Sequence, residues 1–399
     1  MSISFDGRSD PCLTLIMAIS TIKNKMNETC TSYLFQAIRP SRSEAALRRF
    51  QALAQKFPPQ KIVTAALEFG VAPLVYAHAT ARPRPTVSTG TNSNCAGGTN
   101  TKSIAQALEA QYHAAIASSV LLESAYKKVS DVLTTKEIPF LPLKGWDLSR
   151  RVYAQRETRT MGDLDILVRE RDLRRTVSAL KSNLSARRHS GPGEGRSWAN
   201  SVCHDVVTLQ VHKKPVVVEV HKHFARKHLV TARLEGLWER SITCNIADAH
   251  TTENLLSPED CLLITAFHLS RSLFEFRPVW LLDLQGIVET MPIDWAQFVR
   301  RAREWNCATA VWFALDRSQT VVGEPFVPGP IMDHLRPPAV ARNVLLFFAP
   351  RRLLNSPITK MTRREAQLRV LLPLMDNWQQ RLRFFGEYAK VRLVDKLGL

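Results

Sequence analysis

The run Thr160-Met161-Gly162-Asp163-Leu164-Asp165-Ile166-Leu167-Val168 constrains this chain more than any other stretch. Its apolar half has the length and composition of a buried strand, and in a strand residues two apart share a face. Asp163 and Asp165 then project together, while Leu164 and Ile166 point the other way. Two neighbouring carboxylates repel unless a cation lies between them. Magnesium, a hard ion that prefers oxygen ligands, suits such a pair. Asp-x-Asp alone is a common surface pattern, so its surroundings decide.

Three surroundings bear on it. Glu219 interrupts Val216-Val217-Val218-Glu219-Val220-His221, a strand that alternates poorly and reads as buried on both faces. An acid there needs a reason, and a third metal ligand is one. Lys144 and Gly145 fall between a short apolar strand (138–143) and a short helix, where free backbone N–H groups and the helix dipole favour an anion. Arg159, four residues before Asp163, can reach the same phosphates. His221, two residues beyond Glu219, shares its face. It can serve as a phosphate donor or as a structural histidine, with equal weight.

Around this centre the chain of 399 residues divides into four stretches. Residues 1–30 read as an accessory N-terminus. Residues 31–135 are helical, with Phe35, Ile38, Leu47, Phe50 and Leu53 at helical spacing, a pause at Pro73, and a flexible Thr/Asn/Gly loop over 82–101. Residues 136–250 form the α/β core, with strands at 164–168, 204–212 and 215–222, a charged helix over 170–183, a glycine-rich loop at 191–199, and a tight hairpin at Lys213-Lys214-Pro215. Residues 251–399 are a helical domain opened by Ser257-Pro258-Glu259-Asp260.

A charge of +18, from 54 basic against 36 acidic residues, favours polyanionic partners without choosing among them. Seven scattered cysteines with no Cys-x-x-Cys pair give neither a disulfide framework nor a zinc finger, and fit a reducing cytoplasm. Neither an export signal nor a membrane span is read.

Several other residues have plainer readings. His204 beside Cys203, and His212, match no familiar metal spacing and read as ordinary. His223 continues the His221 face near the strand end. His268 and Asp283 fall in helices, where helical packing explains them. Arg150, Arg151 and Arg156 read first as a solvated basic face and second as a nucleotide-steering one. The basic-aromatic stretch from Trp378 reads as amphipathic packing ahead of nucleic-acid binding. The 191–199 loop lacks the strand and Lys-Ser/Thr of a P-loop.

Three motifs in order carry a resemblance: Phe140-Leu141-Pro142-Leu143-Lys144-Gly145-Trp146-Asp147-Leu148, then Arg159 to Arg169, then Val218-Glu219-Val220-His221. Together they resemble the uncharacterised bacterial nucleotidyltransferase family of the polymerase-beta-like superfamily. The similarity continues through Ser257 to Leu269 and Trp280 to Leu284, and covers about residues 30 to 395. It implies an α+β fold: a small mixed sheet flanked by helices, with helical N- and C-terminal regions. It further implies metal ligands at Asp163, Asp165 and Glu219, and phosphate contacts from Lys144, Gly145 and Arg159, with His221 on the acceptor side. The cofactor implied is Mg2+, two ions, with Mn2+ as the alternative.

The implied reaction moves a nucleoside monophosphate from a nucleoside triphosphate such as ATP to a hydroxyl of a small molecule, a peptide or protein, or a tRNA end. The alternative is a catalytically silent nucleotide-binding or accessory protein of the same fold. Two departures stand out. Gly145-Trp146 replaces the Gly-Ser turn of better-known nucleotidyltransferases, and Lys222 follows the acid-x-His motif where the family usually has Trp.

Overall fold

The computed structural model describes residues 30–81, 97–184, 186–189, 203–225, 229–246, 251–271, 278–348 and 371–386. The remaining stretches, among them most of the accessory N-terminus, the 191–199 loop and residues 82–96, lie outside the described residues.

The N-terminal part is helical as its spacing requires: α1 (residues 30–37), α2 (Glu44–Lys56), α3 (Pro59–Glu68), α4 (Ala72–Thr80) and α5 (Gly97–Thr135). Ser43 caps α2 by accepting a hydrogen bond from the Ala46 N–H at 3.4 Å, and the helix buries Phe50 and Leu53. The break after α3 comes earlier than Pro73. Gly70 turns the chain at a φ of 67°, and Pro73 sits in the first turn of α4, where no intrahelical donor is needed. The loop expected to run to residue 101 gives way to helix at Gly97. One local reason is Asn100, whose side-chain amide donates to the Ala54 carbonyl at 2.7 Å and ties the start of α5 to α2.

Next come β1 (Phe140–Pro142), α6 (Gly145–Arg151), β2 (Asp163–Val168), α7 (Leu173–Leu184), β3 (Arg187–His189), β4 (His204–Val211) and β5 (Lys214–His221). The five strands form one mixed sheet in the order β1-β2-β5-β4-β3, parallel only between β2 and β5. β5 alternates more regularly than its sequence suggests: Val216, Val218 and Val220 are buried, whereas Val217 and Glu219 are only half-buried. The β4–β5 turn is made by His212 and Lys213, both at positive φ (49° and 64°), the primed-turn geometry that matches strand twist. Lys214 and Pro215 already pair with Val211 and Gln210. Pro215 lies before the stretch of β5 paired with β2, so its missing N–H breaks no bond there.

The sheet separates two cores. Leu164, Ile166 and Val168 of β2 and the buried valines of β5 pack with Val129 and Leu133 of α5 and Leu180 of α7. Leu167 points to the opposite face and joins a larger core, shared by the N-terminal helices and the C-terminal half. That half contains α8 (Glu235–Glu239), a hairpin of β6 (Ile242–Ile246) and β7 (Thr251–Leu255), then α9 (Pro258–Arg271), α10 (Val279–Thr290), α11 (Trp295–Glu304), α12 (Ala308–Val322), α13 (Gly329–Leu335), α14 (Ala339–Phe348) and a helix over 378–386. Ser257 starts α9 as expected, accepting from the Asp260 N–H at 3.3 Å. α10 reaches α6, which carries the Lys144–Gly145 turn. The fold is α+β, a small mixed sheet flanked by helices. No helix among the described residues is long and apolar enough to cross a membrane.

Candidate active site

Strand register assembles the site. In the parallel β2–β5 pair, Asp165 lies beside Glu219, Asp163 beside Val217 and Leu167 beside His221. Alternation therefore puts Asp163, Asp165, Glu219 and His221 on one face, away from the α5–α7 core. β1 brings Lys144 to the same place, because the Leu143 N–H donates to the Asp165 carbonyl at 2.9 Å and fixes the next residue beside it.

The side chains converge. Lys144 Nζ is 2.6 Å from Asp165 Oδ1 and 3.9 Å from Glu219 Oε2. His221 Nε2 is 2.7 Å from the same Asp165 oxygen and 3.1 Å from Glu219 Oε2, while its Nδ1 is buried without a hydrogen-bond partner. Burial would raise the Asp165 carboxyl, but the Lys144 ammonium and the His221 hydrogen bond hold it well below the usual carboxylate range. Glu219 is lowered too: burial is the largest influence and opposes ionisation, but the His221 hydrogen bond together with the charges of His221 and His204 outweighs it.

Lys144 reaches this position from a strained backbone, with φ 52° and ψ −125°, as the residue that caps α6. Gly145 behind it has neighbours at ordinary contact distance. A Cβ there would lie 3.4 Å from the Met161 side chain and 3.5 Å from Arg159 Nη1. Trp146, in the place of the usual serine, is buried on the other side of the turn, stacked on Tyr126 at 4.3 Å and covered by Arg150 at 3.9 Å. It therefore contributes to the α5 core, not to the cluster of carboxylates.

The Arg159 guanidinium is anchored on Asp283 and also feels the Asp163 carboxylate. Its Nε and Nη2 donate to Asp283 and its Nη1 to the Thr160 carbonyl, with the residue 5% exposed. The structure thus brings together Lys144, Asp163, Asp165, Glu219 and His221, with the Arg159 guanidinium beside them and hydrogen-bonded to Asp283. Asp283 is a buried partner of Arg159 and of the Tyr153 hydroxyl, and His268 packs edge-on against Trp280, so both serve helical packing. Arg150 and Arg156 pair with Glu123, and Arg151 with Asp147.

One neighbour was missed. His204 stands directly opposite His221 in the β4–β5 pair, with ring centroids 4.8 Å apart and Nε2 3.9 Å from Glu219 Oε1. Burial and the adjacent His221 lower its pKa. Counting back through a two-residue turn at His212–Lys213 would have found it, since positions 204 and 221 are equidistant from that turn. Beyond His221 the same side of the sheet opens into a cleft of about 400 Å³ lined by Arg169, His223, Trp238 and Arg383, with Arg169 stacked over Trp238 at 4.6 Å.

The family model described as an uncharacterised nucleotidyltransferase matches residues 55–323, two thirds of the chain. The chain belongs to this family. No curated protein matches it. The matched span runs from the end of α2 to Gly323 at the end of α12. It includes every strand and all the residues of the cluster.

Proposed function

We propose that the protein transfers a nucleoside monophosphate from a nucleoside triphosphate to a hydroxyl acceptor and releases pyrophosphate. The observation that carries this reading is the register of β2 against β5, which sets Asp165 beside Glu219 with Asp163 two residues away on the same face. Three carboxylates on one face are a hard oxygen donor set. The Lys144 ammonium between Asp165 and Glu219 already marks a place that attracts positive charge. These residues fit Mg2+, with Asp163, Asp165 and Glu219 as its ligands. Bound there, Mg2+ would stabilise charge on the entering and leaving oxygens of an in-line displacement.

The chain's own groups do the rest. Lys144 offers its ammonium to the triphosphate, and Gly145 lets the backbone approach it. Glu219, half-buried and ionised, accepts the proton of the attacking hydroxyl. While its ring carries no metal ion, His221 fixes the orientation of Asp165 and Glu219 through Nε2, and it faces the acceptor. The cleft beyond it, starting at His223, provides room for that acceptor. Arg159 acts by positioning the segment before Asp163. A small molecule, a peptide or protein, and a tRNA end all remain acceptor classes, and the charge of +18 favours an anionic one.

A second reading, a silent nucleotide-binding or accessory protein, draws on one observation: the Lys144 ammonium occupies space beside Asp165 that a metal ion would share. One experiment separates the two. Purified protein with Mg2+ and each α-labelled nucleoside triphosphate is incubated with host extract. Label transferred to an acceptor by the wild type but not by Asp163→Asn supports the transferase. Nucleotide binding with no transfer in any extract supports the silent protein.

A further inference from the structure

We infer that His204, Glu219 and His221 form a binding site for a borderline divalent transition-metal ion, of the Mn2+, Co2+ or Zn2+ class, whose donor set differs from that of the Asp163–Asp165 pair. Its place in the reaction rests on the transferase reading above; the donor set itself does not.

The site follows from the hairpin. β4 and β5 run antiparallel, so His204 and His221 face each other across the pair, and Glu219 is two residues before His221 on the same face. One donor atom from each residue lies within 4.8 Å of the others. Donors around a tetrahedral ion at 2.0–2.2 Å sit roughly 3.3–3.6 Å apart. The His221–Glu219 separation, 3.1 Å to Oε2, is just inside that spacing, and the His204–Glu219 separation, 3.9 Å to Oε1, is just beyond it. A small rotation of the His204 ring closes the difference. That ring is free to make it, being 30% exposed where His221 is 6%.

Chemistry then selects the ion. Mg2+ takes oxygen ligands and keeps its water, whereas imidazole suits Mn2+, Co2+ and Zn2+. Two imidazoles and one carboxylate leave a coordination position open, the arrangement of catalytic rather than structural metal sites. Lys144 does not block it. The ammonium lies against Asp165 and faces Glu219 Oε2, while His204 faces the other oxygen, Oε1.

The test uses Co2+ alone, titrated into the nucleotide-free full-length protein and followed by its visible ligand-field bands. One equivalent should bind, be displaced by Zn2+ and resist a large excess of Mg2+. His204→Ala and His204→Gln, at a partly exposed position, should each weaken binding by at least about tenfold, while Asp163→Asn leaves it unchanged. Co2+ binding that ignores both His204 variants, or that Mg2+ displaces readily, would overturn the inference even if transfer is observed. Binding that depends on His204 in a protein showing no transfer would uphold this site and overturn the transferase reading instead.

Discussion

Arg159 and Asp283, 124 residues apart, are joined by a forked pair of hydrogen bonds, Nε to Oδ1 at 2.8 Å and Nη2 to Oδ2 at 2.7 Å, with both side chains almost wholly buried. Tyr153 completes the knot by donating to the same carboxylate at 2.7 Å. The segment that leads into Asp163 is thereby fastened to α10. Asp283→Ala leaves a guanidinium buried without its counter-charge and should lower stability by about 3–5 kcal/mol in urea denaturation. Replacing both members by apolar residues should recover much of that loss. Equal losses in the single and double variants would rule out the buried-charge explanation.

Asp163 and Glu219 are only partly buried, so Asp163→Asn and Glu219→Gln should keep the melting temperature near that of the wild type. Transfer should fall by roughly 10²–10³-fold or more in each. Steady-state turnover with the labelled nucleotide measures this, and near-normal turnover in either variant would remove that residue from the proposed site.

Lys144 holds a backbone conformation that glycine adopts freely. Lys144→Ala and Lys144→Gly both remove the ammonium and should weaken nucleotide binding alike. They should differ in stability, with the glycine variant the firmer by about 1 kcal/mol because it alone relieves the strain. Thermal unfolding of the two side by side is the measurement.

Burial pushes the His78 imidazole from an ordinary value near 6.5 down to about 4. Its Nε2 accepts the Arg39 N–H at 3.2 Å, which requires the neutral ring. Between these values the unfolded chain binds a proton that the folded chain refuses. Stability should therefore fall as pH drops below about 6.5 and level off below about 4, by about 3 kcal/mol in total. His78→Leu, less stable at neutral pH, should show a smaller decline across that window.

At Gly286 of α10, a Cβ would come within 2.2 Å of Val152 Cγ1 and 3.1 Å of Pro40. Gly286→Ala should destabilise the protein by about 1–3 kcal/mol. Adding Val152→Ala should return part of that, as melting curves of the single and double variants would reveal.

The parts of this protein that were legible in its sequence are those where neighbouring residues decide the outcome. β2 was readable because Leu164 to Val168 is apolar and its acids are two apart; α9 was readable because Ser257 and Pro258 announce a helix start. Contacts across the chain were not. Arg159 reads as a phosphate ligand because it lies four residues from Asp163, and its buried pairing with Asp283, 124 residues away, could not be read along the chain. His204 looked ordinary because its metal-like spacing exists across a hairpin and not along the chain. The β6–β7 hairpin escaped because Thr251, Thr252, Glu253 and Asn254 lack a strand's apolar alternation, and that strand instead finds β1. Glu219 was found by its oddity among valines, although its strand proved more regularly alternating than its sequence.

The two-cored sheet also guards against its own misassembly. If β2 paired with β5 one residue out of step, its side chains would exchange faces. Asp163 and Asp165 would be driven among Val129, Leu133 and Leu180, and Leu164 and Ile166 would be left beside Lys144. Two carboxylates sealed into hydrocarbon with no counter-charge are far too unfavourable to persist. The acids proposed for chemistry thus also disfavour a one-residue slip of the central strands.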